Sequence, residues 1–577
     1  MDKRSIEHIS DSNYSFPISN NEIKVRIRIK KGDDVKKIEC LRNDSSYFYK
    51  ERKITEMSYI FDDDLFSYYE AILSDSSNRY SYIFYITLNN GKKLYYSESG
   101  ISETYDYFLS YFNRFRISYA NHNDIVFDNK KFQGNVFYQI FPERFNRGNF
   151  TKDSSYINAE WETTNLKGSN NNRKQDVYIG GDLKGVTNKL DYLKELGVDV
   201  IYLTPICEGG SNHKYDVIDY FKIDEMFGND ADFSELCNSA HSKGMKIILD
   251  LVFNHSSNLN KMFLDVKEKG KESKYYDFYF IHGDKPDETK LNYDTFGNVP
   301  EMPKLNSNNY DEQDYFVSVG KYFIEKFNVD GFRLDVADEV SHDFWLNFKM
   351  QLRRIKSDIV LIGECRGNAR SYLSSDQFES VMNYPFFYAC KDFYVNKTLS
   401  NNDFAEKLNS LLIRYTDNNA RMMLNLLDSH DTERFYNFIK PNKDLYLLAV
   451  LTLIMYVGWP MIYYGNEIFM EGGTDPANRK GMEWNSKEFG NKYNKLFNEI
   501  ILLRKNACLK EGKIRISTFN DLLYIERYNK SEKIISIINN SNFVKQVNLE
   551  GDLILSNNYS DKTLSSFGFV VSKMKII

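Results

Sequence analysis

Asp330-Gly331-Phe332-Arg333-Leu334-Asp335-Val336 is the stretch on which the reading of this chain turns. In a strand, residues i and i+2 point to one face, so Arg333 and Asp335 project together. An arginine beside a carboxylate favours its ionised form. An ionised carboxylate is a candidate nucleophile. Taken alone, the same pair reads more readily as a structural ion pair at the end of an internal strand. The sequence on either side decides between the two.

Short apolar runs of the same kind recur between residues 131 and 507, with amphipathic segments between them. The runs at 136–141, 198–204, 246–252, 331–336, 359–363, 381–384, 422–427 and 461–464 read as strands. The segments at 186–196, 233–242, 315–327, 344–355, 404–415 and 445–457 read as helices. In the first helix Leu190, Leu193 and Leu196 make an apolar stripe, and Gly197 stops it. Eight strand-plus-helix units over about 370 residues predict a (β/α)8 TIM barrel. About 75 residues separate the third strand from the fourth, and an insertion of that length, placed at about 256–312, is usually functional.

The flanks have a different texture. Residues 1–130 read as an N-terminal β-sandwich. Glu22 to Ile29 alternates apolar and charged, Lys31-Gly32-Asp33-Asp34 is a turn, and strand-like runs at 81–88 and 93–96 bracket a turn at Asn89-Asn90-Gly91. Residues 508–577 read as a small C-terminal β domain, with turns at Asn529-Lys530-Ser531 and near Gly551. A chain of 577 residues has room for such a multidomain arrangement.

Composition excludes several classes. The net charge is -6 and no basic block stands out, so neither nucleic acid nor a membrane surface is an expected partner. No apolar run reaches transmembrane length; 445–461 comes nearest and reads as a buried helix, a Gly-Trp-Pro break and a strand. Met1-Asp2-Lys3-Arg4-Ser5 leads into a polar segment without the apolar core of a secretory signal. The cysteines at 40, 207, 237, 365, 390 and 508 form no CxxC, which suits free thiols in a reducing cytoplasm. A cytoplasmic location is the expectation.

The active site of such a barrel lies at the C-terminal ends of its strands. The third strand ends in Asp250-Leu251-Val252-Phe253-Asn254-His255, the fourth carries Arg333 and Asp335, the fifth ends in Gly363-Glu364-Cys365, and the seventh in Leu427-Asp428-Ser429-His430-Asp431. Carboxylates, an arginine and two histidines therefore converge on one rim, with no cluster at metal-ligand spacing. Two working carboxylates are the equipment of glycoside hydrolysis. Asp335, beside Arg333, is expected to stay ionised and attack the anomeric carbon. Glu364, raised by burial and by like charge, is the expected general acid. Asp431 would hold substrate hydroxyls and stabilise positive charge on the ring. Each carboxylate alone is better read as a strand-end cap or ion pair; their recurrence around one rim favours chemistry.

These stretches resemble the ordered motifs of the α-amylase family of glycoside hydrolases. Gly181-Asp182-Leu183-Lys184-Gly185, DxxxNH at Asp250 to His255, GFRLDVADE at Gly331 to Glu339, Gly363-Glu364, His430-Asp431 and GWPMIYYGNE at Gly458 to Glu467 occur in the family's order. The resemblance implies a retaining double displacement with Asp335 as nucleophile, Glu364 as acid/base and Asp431 as stabiliser. Arg333, His255 and His430 would assist at the cleaved sugar. His213 and Tyr215, in Ser211-Asn212-His213-Lys214-Tyr215-Asp216, resemble the family's substrate-stacking loop, with packing beneath that loop as the other reading of Tyr215. Met302-Pro303-Lys304-Leu305-Asn306 resembles the signature of neopullulanases, cyclomaltodextrinases and maltogenic amylases. That group implies cyclodextrins, pullulan and maltooligosaccharides as substrates, a carbohydrate-binding-module-like N-terminal domain, and a homodimer. An α-glucosidase or α-amylase of other specificity, and a non-catalytic sugar-binding barrel, are the alternatives.

The chain departs from the group at three places. Asp338 stands where Asn is usual. Cys365-Arg366-Gly367-Asn368 replaces an apolar residue followed by Trp-His-Asp. At the group's calcium site, Asn149, Asp153, Asp182 and the Gly180 carbonyl are candidate ligands, but Arg147 and Lys152 stand where the group has Asn. Calcium needs about six to eight oxygens, and a lysine ammonium can sit where the ion would and neutralise the same carboxylates; no cofactor is expected to be required, and a structural calcium is the less favoured alternative.

Overall fold

The computed structural model describes the chain except residues 44–52, 106–112, 127, 149–155, 164–165, 167–173, 375 and 577. Its centre is a sheet of eight parallel strands: β1 Phe137–Ile140, β2 Val200–Leu203, β3 Lys246–Val252, β4 Gly331–Asp335, β5 Val360–Gly363, β6 Ser380–Val381, β7 Leu424–Leu426 and β8 Trp459–Tyr463. The spatial order is β6-β5-β4-β3-β2-β1-β8-β7. A parallel bridge between Met382 and Leu424 joins β6 to β7 and closes the barrel. Nearly every strand residue is buried, as expected where helices cover one face and packed side chains fill the other.

Register does much of the positioning. β3 pairs with β4 so that Asp250 lies opposite Arg333 and Val252 opposite Asp335. β4 pairs with β5 so that Leu334 lies opposite Gly363, and Glu364 follows at the rim. Gly331 permits this approach: a Cβ there would lie 2.4 Å from the Val360 carbonyl oxygen.

Most predicted elements appear, with shifted ends. The β3 run has the bounds read from sequence. The first predicted helix is two, Leu183–Thr187 and Leu190–Leu196, broken at Asn188 and Lys189. Asp182 caps the first piece through the Gly185 amide; the leucine stripe belongs only to the second. The sixth strand is only two residues long, because Tyr384 and Pro385 already open a helix, Tyr384–Cys390. A further helix, Lys492–Leu502, buries Leu496, Phe497, Ile500 and Ile501 and was not read from the sequence. Within the insertion, Lys261–Lys269 is helical, and the helix Tyr310–Phe327 leads into β4.

The N-terminal region stacks two antiparallel sheets around Ile23, Val25, Ile27, Phe84 and Ile86. It is tied to the barrel by Lys24 and Arg26, both on Asp417, and by the Asn13 side-chain amide, which donates to the Ile413 carbonyl (2.7 Å). The C-terminal region is one antiparallel sheet of six strands spanning Lys513 to Lys575.

Candidate active site

Arg333 is fully buried, and its guanidinium organises the rim. One terminal nitrogen donates to both oxygens of Asp250 (3.1 Å each) and to Asp335 Oδ1 (2.7 Å). The other lies 2.9 Å from Glu364 Oε2 and 3.9 Å from Asp431 Oδ2. One cation thus faces four carboxylates. Asp335 and Glu364 keep only 9% and 5% of their side-chain surface, and Asp431 keeps 22%.

That ratio bears on one expectation. The sequence set Asp335 against Arg333 alone and had it ionised. In the structure burial raises the Asp335 carboxyl well above its ordinary value, Arg333 lowers it, and Glu364 and Asp250 raise it again; the net direction is up. Burial likewise lifts Asp250 to about 6, against the pull of Arg333 and of hydroxyl donors Tyr202 (2.8 Å) and Tyr215 (2.9 Å). A buried cluster with more carboxylates than cations retains a proton, and the acid of a glycosidase needs one.

The turn after β4 links the two central carboxylates. Val336 adopts a left-handed conformation, φ 44°, rare for a β-branched residue. Its N–H donates to Glu364 Oε2 (3.0 Å), and the next amide, of Ala337, donates to the Glu364 backbone carbonyl (3.1 Å). With Oε2 engaged by Arg333 and this amide, Oε1 is the freer oxygen; its neighbour is Arg366, at 3.4 Å, whose side chain is 73% exposed. Cys365 is buried and burial pushes its thiol up, which makes it a packing residue.

The histidines are set by their neighbours. The His430 amide donates to Gln139 Oε1 (3.2 Å), so the Gln139 NH2 faces His430 Nδ1 (2.9 Å) and donates to it. The hydrogen of His430 is therefore on Nε2, which donates to the Tyr215 hydroxyl (2.6 Å) and lies 3.2 Å from Asp431 Oδ1. Tyr215 also stacks on the His430 ring at 5.4 Å and 8°. The Tyr215 amide donates to His213 Nδ1 (3.1 Å), which leaves Nε2 of His213 as its donor. Burial first, then Arg479, pushes both histidines well below their ordinary range, so both rings are neutral.

A pocket of about 230 Å³ opens over this cluster. Asp335, Glu364, Asp431, His213, Tyr215 and His255 line it; Arg333 and His430 stand behind its wall. All eight residues singled out from sequence are thus at one place. Sequence reasoning missed Arg479, which donates to the His430 carbonyl (2.8 Å) and lies 3.4 Å from Asp431. It also missed Gln139, Tyr202 and Phe296. The nearest signal was Gly472-Gly473-Thr474-Asp475-Pro476, just before Arg479.

Of the four candidate calcium ligands, Gly180 and Asp182 are among the described residues. Asp182 Oδ1 accepts the Gly185 and Gly148 amides, and Arg147 Nε donates to the Ile179 carbonyl (2.7 Å). Asn149, Lys152 and Asp153 lie outside the described residues.

A carboxylate-rich, arginine-centred rim on a (β/α)8 barrel defines a glycoside hydrolase class of protein. Comparison with known proteins narrows this. Residues 139–507 match the alpha amylase catalytic domain, and residues 1–121 the alpha amylase N-terminal ig-like domain. The chain is 36% identical over 569 residues to the cyclomaltodextrinase of Thermoanaerobacter pseudethanolicus, covering 96% of each. It is 38% identical over 516 residues to neopullulanase 2 of Thermoactinomyces vulgaris, covering 89% of this chain and 86% of that one. A solved cyclomaltodextrinase superposes with a TM-score of 0.89 at 30% identity, over 100% of this chain and 98% of that one. The chain belongs to the α-amylase family of glycoside hydrolases.

Proposed function

We propose that this enzyme hydrolyses α-1,4 glucosidic bonds in cyclodextrins, pullulan and maltooligosaccharides by double displacement. The observation that carries the reading is the single buried guanidinium of Arg333 holding Asp335 and Glu364 through adjacent nitrogens. In the first step Asp335, as the carboxylate paired with Arg333, attacks the anomeric carbon while Glu364, carrying the proton that the cluster retains, protonates the leaving oxygen through Oε1. In the second, Glu364 takes a proton from water, which displaces Asp335. Asp431 stabilises positive charge on the ring, and His213, His255 and Tyr215 bind the sugar. The same proton delivery serves an α-1,6 link, because the acid acts on the leaving oxygen whatever carbon bears it. The named relatives support the substrate class.

The test is β-cyclodextrin opening against soluble starch, with Asp335→Asn as the blank. Faster cyclodextrin cleavage, abolished in the variant, is expected. Faster starch cleavage would move the enzyme to another specificity, and no cleavage of either would remove the reading. The reading includes no metal: chelation is expected to leave the melting temperature unchanged, and a fall would restore calcium. It also includes a cytoplasmic homodimer; a monomeric mass by light scattering would remove the dimer.

A further inference from the structure

The signature Met302-Pro303-Lys304-Leu305-Asn306 lies against the end of β3. His255 and Lys304 form an antiparallel bridge, and the Leu305 amide donates to the Asn254 carbonyl (3.0 Å). This places the Lys304 ammonium on Asn254 Oδ1, with the Glu339 carbonyl 3.0 Å away and the Glu339 carboxylate at 3.6 Å.

An ammonium donates and never accepts. The atom of Asn254 that faces it must be the oxygen, so the Asn254 NH2 faces His255 Nδ1, 3.3 Å away. His255 Nδ1 is then an acceptor, and the ring hydrogen sits on Nε2. Burial, then the charge of Lys304, pushes His255 down to about 3, so the ring is neutral and has this one donor. Phe296 stacks on the ring at 4.9 Å and 20° and limits its rotation. His255 lines the catalytic pocket, and its Nε2 is buried without a hydrogen-bond partner among the described residues.

We propose that Lys304 is a positioning residue: through Asn254 it fixes the tautomer of His255, so that an Nε2–H donor is presented to a hydroxyl of the bound sugar. The role of the sugar rests on the glycosidase reading; the tautomer does not. Without the ammonium, the Asn254 amide is free to turn over and offer its oxygen to Nδ1. The ring hydrogen then moves to Nδ1, and Nε2 becomes an acceptor. A sugar hydroxyl can still donate to it, so the loss is partial.

The experiment is ¹⁵N NMR of histidine-labelled protein, with the His255 signals assigned by their loss in His255→Gln, alongside cyclodextrin kinetics. Wild type is expected to show the Nε2–H pattern for His255. Lys304→Met is expected to shift it toward a mixture and to lower kcat/KM about tenfold, the size of one ordinary hydrogen bond. Lys304→Arg, which keeps a cationic donor, is expected to restore the pattern. Asn254→Asp, which offers only acceptors, is expected to put the hydrogen on Nδ1. An Nδ1–H pattern in wild type, or an unchanged pattern in Lys304→Met, overturns the proposal. These spectra need no substrate, so they stand whether or not cyclodextrin is opened.

Discussion

The segment leading through β4 has an aspartate at each end, and the two sit in opposite electrostatic settings. Asp330, on the N-terminal face, is held by Lys131 (2.9 Å), Lys356 (3.2 Å) and His241 (2.8 Å), and it accepts the Ile247 amide (3.0 Å). Burial works to raise it, but His241, Lys131, Lys356 and that amide outweigh burial and hold it well below the ordinary range. Asp335, five residues on, shares one guanidinium with three other carboxylates and moves the other way. Both are buried. What differs is the count of cations per carboxylate. Where cations match the carboxylates, as Lys131 and Lys356 match Asp330 and Asp358, the cluster fastens β3 and β4 at the barrel floor; where carboxylates are in excess it stores a proton at the rim. At the domain boundary Lys24 and Arg26 are shared by Asp417 and Glu70, one cation for each carboxylate, and despite burial Asp417 is held low.

The largest expected effect that tests this comparison is at the rim. Asp335→Asn should lower kcat at least about 10⁴-fold. Its stability should hold or rise at neutral pH. A carboxyl raised in the fold favours the folded state less as pH climbs past its unfolded value, and asparagine removes that burden. A clear fall in the urea midpoint would break the comparison at this end.

Asp330→Asn should do the reverse. Removing one partner from a buried pair leaves cations uncompensated and costs about 3 kcal/mol. Activity per folded molecule should stay within about threefold, since the floor of such a barrel serves stability. The stability from a depressed carboxyl is present above the unfolded value near pH 4 and is lost as pH falls further. Wild type should therefore weaken in acid more steeply than the variant; parallel acid curves would show that Asp330 is not the group responsible.

The smallest effect sharpens the chemistry of the rim. Arg366 puts a mostly exposed charge beside Glu364, where the related group has a stacking tryptophan. Arg366→Trp should raise transfer to an added glucose acceptor over hydrolysis several-fold, about what one aromatic contact contributes. An unchanged product ratio would mean that Arg366 takes no part in holding the acceptor.

The legible parts of this molecule share a physical reason. β3 could be bounded from sequence because a glycine turn precedes it and polar residues begin where it reaches the rim. The catalytic carboxylates were legible because parallel strands deliver their C-terminal ends to one place, so linear order converts into a ring. Their protonation was not legible: it depends on how many carboxylates meet Arg333, and only register settles that. Arg479 and Gln139 were hidden for a related reason. Each meets His430 across a long separation in sequence, and neither belongs to a local pattern. The break at Asn188 was masked by the leucine stripe that follows it. The short β6 was overrun because Pro385 was not taken as a helix opener.

The barrel wall is fastened unevenly around its circumference. Most neighbouring strands share three to five paired positions, but β6 and β7 meet at the one bridge between Met382 and Leu424. There the Leu424 amide donates to the Ser380 hydroxyl oxygen (3.1 Å), the Asn383 amide donates to the Leu424 carbonyl (2.8 Å), and the Asn383 side-chain amide donates to Asn425 Oδ1 (2.7 Å). A wall held on one line by a single backbone bridge and a few side chains has a preferred line of opening. Amide hydrogens along β7 should trade with solvent sooner than those of β3, and partial unfolding should begin as an unzipping of that seam. The central carboxylates Asp335 and Glu364 stand on β4 and just past β5, on the continuously paired part of the wall. The nucleophile and the acid are thus set away from the place where the cylinder gives way, while Asp431 and His430, which follow β7, stand beside it.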